Sequence, residues 1–113
     1  MNWNRLTDVA QLEEIKEESR QYPVLLFKHS TRCSISATTL RRLERDWNEQ
    51  EVGNLKPYYL DLIAYRPISN KIAEEFDVWH ESPQAILIRN GESVFDASHY
   101  DVTFDAIKEQ VAS

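Results

Sequence analysis

A single cysteine, Cys33, among 113 residues excludes an internal disulfide framework, because a lone thiol can pair only with another molecule. Glycine is scarce at two residues and proline occurs only four times, all at plausible joints between segments, so the chain shows no linker, repeat or low-complexity tract. No apolar run approaches the ~18 residues that a membrane-crossing helix needs. The first twenty residues lack the basic start and greasy middle of a secretory signal, which makes the cytoplasm the expected compartment. Positive charge is in deficit: 13 Lys and Arg stand against 19 Asp and Glu, a net charge of -6 that repels phosphate backbones and argues against nucleic acid as a partner. His29, His80 and His99 are scattered, and no Cys/His pair has zinc-site spacing, so no metal is expected. What remains is an ordinary soluble composition, 42% hydrophobic and 28% charged, of a length that suits one domain over residues 1–113.

The segments alternate in kind. A short strand is expected around Trp3 to Leu6. Thr7 or Asp8 then caps a helix whose Val9, Leu12 and Ile15 share one face. Val24 to Lys28 reads as a strand buried on both faces. Ser34 to Glu49 carries Leu40, Leu43 and Trp47 at helical spacing, and Gly53-Asn54 breaks it. Pro57 opens a strand from Tyr58 to Ile63, and Pro67 and Ser69 start a helix bearing Ile68, Ile72, Ala73 and Phe76. Pro83 opens the strand Gln84 to Arg89. Asn90-Gly91 is a hairpin turn signal, with Ser93 to Ala97 returning. Thr103 caps a last helix with Phe104, Ile107 and Val111 on one side. Strands separated by helices require parallel, right-handed crossovers, and the closing hairpin makes the sheet mixed. The fold class is α/β, with helices on both faces of the sheet.

Cys33 holds the most chemistry. It follows an apolar strand and opens a helix, where unpaired amides favour a thiolate. Thr31, Arg32, Ser34 and Ser36 around it are polar, which argues against a buried structural cysteine and for a sulfur that attacks disulfides through a mixed-disulfide intermediate. Arg32 adds a neighbouring positive charge. Ser36 lies one helical turn on, where its hydroxyl could tune the thiolate, although solvation of the first turn explains it equally well. Thr31 suits a helix cap as well as a substrate contact. Fifty residues later, Ser82-Pro83 precedes a strand. A proline there is ordinarily trans; a cis bond would free the Ser82 backbone to pair with an extended, thiol-bearing ligand. Nearby, His80 could donate a proton to a leaving thiol. Trp79 is expected in the core, and Lys28, which could help stabilise a thiolate, is expected simply to reach water.

The cysteine at the helix mouth, the proline before the next strand, and the order of elements together resemble the thioredoxin superfamily over nearly the whole chain. More narrowly, Lys28-His29-Ser30-Thr31-Arg32-Cys33-Ser34-Ile35-Ser36 and His80-Glu81-Ser82-Pro83-Gln84 are similar to the YtxJ family of monothiol bacilliredoxins, associated with the bacillithiol redox system. Two positions depart from that family's Cys-Pro-Ile-Ser pattern: Ser34 replaces the proline, and Arg32 replaces a smaller residue. The resemblance implies a thioredoxin-like three-layer α/β/α architecture with a mixed central sheet, a closing β-hairpin and a C-terminal helix. It also implies a cis bond at Pro83 facing the cysteine.

The implied activity is monothiol thiol–disulfide exchange. Cys33 removes a low-molecular-weight thiol from client proteins, Arg32, Ser36 and Thr31 tune the thiolate, and Ser82, Pro83 and His80 position the incoming disulfide. The small thiol is a co-substrate, and no metal or organic cofactor is called for. Bacillithiol is carried by the family resemblance alone; these residues do not select it over glutathione. Two other readings stay open: a non-catalytic adaptor with an inert Cys33, and a carrier holding an iron–sulfur cluster between two subunits, as monothiol glutaredoxins of this fold do.

Overall fold

The computed structural model describes residues 1–112. Five strands form one sheet: β1 (Asn4–Arg5), β2 (Val24–His29), β3 (Lys56–Asp61), β4 (Gln84–Arg89) and β5 (Glu92–Ser98), in the order β1-β3-β2-β4-β5. The pairings of β3 with β1 and β2 are parallel; those of β4 with β2 and β5 are antiparallel. The helices are α1 (Gln11–Glu18), α2 (Ser34–Asp46), α3 (Glu49–Val52), α4 (Arg66–Phe76) and α5 (Phe104–Ala112), with a 3-10 turn at His99–Asp101.

Every residue of β2 is buried because both sheet faces are covered. Val24 and Leu26 pack with Leu12 and Ile15 of α1 and with Ile68, Ile72 and Phe76 of α4. Leu25 and Phe27 point the other way, toward Leu43 of α2 and Phe104 and Ile107 of α5. Each such side chain contributes about 1.5–3 kcal/mol of burial, so this central strand anchors the three layers. The Asn90-Gly91 turn has φ of +52° and +76°, the double positive φ of a primed hairpin.

Local chemistry moved several expected boundaries. The helix from Ser34 stops at Asp46 rather than Glu49, because Asn48 turns its side chain to accept the Gln50 N–H (3.0 Å) and starts α3 afresh. Ala10, not Thr7 or Asp8, is the first cap position; Asp8 instead accepts the Ala10 N–H at 2.9 Å. Strand β3 begins two residues early and includes Pro57. Pairing with β1 starts only at Tyr58, so Pro57 stands where β3 has one neighbour, a place that tolerates proline.

The two ends of the sheet differ. At one end α1, β3 and the hairpin are tied together. The Glu18 carboxylate accepts from Lys56, from Tyr58 Oη (2.6 Å) and from Tyr22 Oη (3.0 Å). Burial alone would push the Glu18 carboxyl up, but these three donors outweigh it and bring it below the usual range. The Asn90 N–H donates to Ser19 O and the Gly91 N–H to Ser19 Oγ, both at 2.8 Å. At the other end β2 and β3 finish and β4 starts, with Lys28 paired to Gln84, so the loops carrying Cys33 and Pro83 leave the same end of the sheet.

Candidate functional site

Strand β2 ends at His29, and a tight turn brings the chain to Cys33. The Cys33 N–H donates to Ser30 O (3.2 Å), and its carbonyl accepts the Ala37 N–H (3.0 Å), so the cysteine is itself the first cap position of α2. Its backbone is extended (φ -109°, ψ 121°), and no side chain caps the helix, which leaves the first amides facing the turn that carries the sulfur. Thr31 therefore is not the cap; it is exposed on the turn, as is Arg32. Cys33 is partly exposed rather than walled in.

Ser36 lies behind the cysteine and is fully buried. Its Oγ accepts the Ser30 N–H (3.1 Å) and sits 2.7 Å from His29 Nδ1. The hydroxyl is thus committed to β2 and to the turn, and among the described residues it makes no hydrogen bond to the Cys33 sulfur. His29 stacks on Phe27 and tilts against Tyr59. Burial pushes its imidazole below the usual value, outweighing Asp61 and Glu44, and keeps it neutral. The His29–Ser36 pair escaped the sequence reading, though both lie within the nine-residue stretch singled out there.

Across the site the Ser82–Pro83 peptide bond is cis, and Pro83 is buried. The Pro83 carbonyl accepts the His99 N–H at 2.9 Å, and Gln84 Nε2 donates to Trp79 O at 2.9 Å, which holds the loop against β4. Ser82 Oγ and Gln84 Oε1 are buried without a protein partner among the described residues. Trp79 is not in the core: it is 92% exposed, since the loop before β4 runs over the surface. Together with Ile35 in the first turn of α2 and Ile63 just after β3, it leaves exposed apolar groups at this end of the sheet.

Lys28 reverses its expectation more sharply. Strand alternation turns it inward, beneath α4, and it is fully buried. Its Nζ donates to Ser69 O (3.3 Å) and lies 3.3 Å from His80 Nδ1, which is also 3.3 Å from Ser69 Oγ. Burial brings Lys28 down from its usual 10.5 to about 8. His80 is likewise lowered, first by burial and then by the Lys28 and Arg66 charges. A base whose folded pKa is depressed destabilises the fold below that pKa; stability then rises with pH until the unfolded value is passed. For Lys28 the rise runs from about pH 8 to 10.5. Lys28→Met is therefore expected to raise stability at neutral pH by about 1–3 kcal/mol and to flatten this rise. Urea unfolding at pH 7 and pH 10 checks it, and a variant less stable than the parent at pH 7 would contradict it.

Among the described residues no three His, Cys, Asp or Glu side chains are grouped to hold a metal ion, and no helix is long and apolar enough to cross a membrane.

A cysteine capping α2 and a cis proline at the same end of a mixed sheet, with helices on both its faces, define a thioredoxin-fold protein. Solved structures agree. The chain is similar to the thioredoxins of Malassezia sympodialis (13% identity, 99% of this chain and 92% of that one, TM-score 0.76) and Fasciola hepatica (16%, 96% and 96%, TM-score 0.71). A solved thioredoxin-fold protein taken to be an oxidoreductase is nearer, at 32% identity over 96% of this chain and 92% of that one, with a TM-score of 0.80. Residues 4–107 match the family model described as monothiol bacilliredoxin BrxC, and the chain belongs to that family. It is a redox protein of the thiol oxidoreductase class.

Proposed function

We propose that this protein removes a low-molecular-weight thiol, bacillithiol on the family's evidence, from mixed disulfides on client proteins in the cytoplasm. The Cys33 thiolate attacks the small thiol's sulfur. A bond forms between Cys33 and the small thiol as the bond to the client breaks, and the client sulfur leaves with the electron pair and takes up a proton. A second small thiol, or a partner redoxin, then attacks the adduct; the small thiol departs in a new disulfide and Cys33 is regenerated. Electrons balance at each exchange, so no metal or organic prosthetic group is called for. Arg32 and Thr31 lie on the turn that leads to the attacking sulfur, Ser82 offers its backbone to the extended client, and the cis bond at Pro83 shapes the loop that presents it. Ser36 acts from behind, through the turn it fixes.

The observation that carries this reading is the solitary, partly exposed sulfur of Cys33 at the mouth of α2, with buried Ser36 where a second thiol would stand. Intact mass tests it. Mixed with a client bearing bacillithiol, the protein is expected to gain the mass of one bacillithiol on Cys33 as the client loses it. A client that stays modified while Cys33 stays unmodified overturns the proposal. Parallel clients bearing glutathione and cysteine rank the small thiols.

A further inference from the structure

Among the described residues, Lys28 is a charged side chain that is fully buried, lacks a carboxylate partner and has no part in the exchange just described. We propose that Lys28 is a positioning residue that acts through His80, holding that ring in the tautomer with its proton on Nε2, so that Nε2–H is presented as a donor to the sulfur leaving the client. This deepens the function proposed above and rests on it.

The argument is one of hydrogen-bond inventory. An ammonium group has donors and no acceptor. With Lys28 Nζ 3.3 Å from His80 Nδ1, that nitrogen must offer its lone pair, and a neutral imidazole then carries its proton on Nε2. Buried Ser69 sits 3.3 Å from the same nitrogen and can donate to it too. The Nδ1 edge of the ring thus faces the interior. His80 as a whole is exposed, so Nε2 is on the solvent side of the loop that leads to Pro83. Lys28 is the cross-strand partner of Gln84, whose amide clamps the Trp79 carbonyl, so the loop and the ammonium are fixed to the same rung of the sheet. The charged groups facing His80 are Lys28 from β2, Arg66 from α4 and Glu81 from its own loop; Glu81 also lies 3.6 Å from His99. The two cations disfavour an imidazolium, which keeps the ring a neutral donor.

The step balances without a new reagent. As the client sulfur departs with its electron pair, it accepts a hydrogen bond from Nε2–H. The proton can pass to it as Lys28 delivers one to Nδ1; the starting state returns when Nε2 takes a proton from solvent and Nδ1 gives its own back to the buried Lys28.

Nitrogen-15 NMR of the His80 ring in the reduced, unaltered protein decides the tautomer whatever the activity. An Nε2–H ring supports the proposal, and an Nδ1–H ring overturns it. In Lys28→Met, whose folding is favoured by loss of the buried charge, the tautomer should become mixed. Client release should slow roughly tenfold, the worth of about one charge-assisted hydrogen bond, while alkylation of Cys33 keeps its rate and pH profile. His80→Gln should slow release equally and make Lys28→Met silent in its presence. Unchanged tautomer and unchanged release in Lys28→Met overturn the assignment. A protein that releases no small thiol from any client refutes the proposed function alone, since the ring spectrum still reports on Lys28.

Discussion

Client release by Cys33→Ser will fall to the uncatalysed rate, a loss on the order of a thousandfold or more, because a hydroxyl is almost never ionised at neutral pH and attacks sulfur poorly. The substitution separates chemistry from folding. Position 33 is the first cap of α2, where serine is among the favoured residues, and the cysteine uses no side-chain bond to hold the helix. The variant should therefore keep its far-UV spectrum and its unfolding midpoint while losing turnover. Mass spectrometry of the client over time reads the rate, and release at the parent's speed would remove Cys33 from the mechanism.

The opposite experiment adds a sulfur. In Ser36→Cys the new thiol lies three residues beyond Cys33, on the same helical face, with backbone separation of about 5–6 Å, inside the span a disulfide bridges. A small thiol captured on Cys33 would then meet a neighbour able to expel it without help from solution. The expected result is that the adduct on the protein becomes too short-lived to isolate, its lifetime cut roughly a hundredfold or more by proximity, and that the protein is recovered two hydrogens lighter. Stability should drop by about 1–3 kcal/mol, since a thiol replaces a buried hydroxyl bonded to His29 and to the Ser30 N–H. Intact mass under a small-thiol disulfide follows the adduct. An adduct as persistent as the parent's would mean that the buried side of the helix is closed to a resolving sulfur, and that the single-thiol habit lies in the backbone rather than in residue 36.

The order of elements was legible because each left a local mark: the unbroken apolar run of β2, the Asn90-Gly91 turn, the helical spacing of Leu40 and Leu43. Cys33 was legible for the same reason, as a sulfur among polar neighbours between a strand and a helix. The deeper part of the site was not. Strand alternation already turns Lys28 and His29 to opposite faces, but only tertiary packing decides that α4 meets the first, through Ser69, and α2 the second, through Ser36. Composition places a lysine in water; here a strand end fully covered by a helix overrides it. Trp79 erred the other way. Its size favours the core, yet it falls in a surface loop whose path is held by Gln84 through the Trp79 carbonyl. The break at Asn48 depended on a two-residue cap that helical periodicity cannot register.

The tie between Glu18, Lys56, Tyr58 and Ser19 bears on how this molecule can change over generations. It fastens the helix, the strand and the hairpin at the pole remote from Cys33, so integrity is underwritten there. The turn at 30–33 and the segment at 79–82 lie at the other end of the sheet. Around Cys33, His80 and Ser82, exposed side chains such as Trp79 are thus at liberty to vary as clients vary, and recruitment of a different substrate need not be negotiated with the foundations.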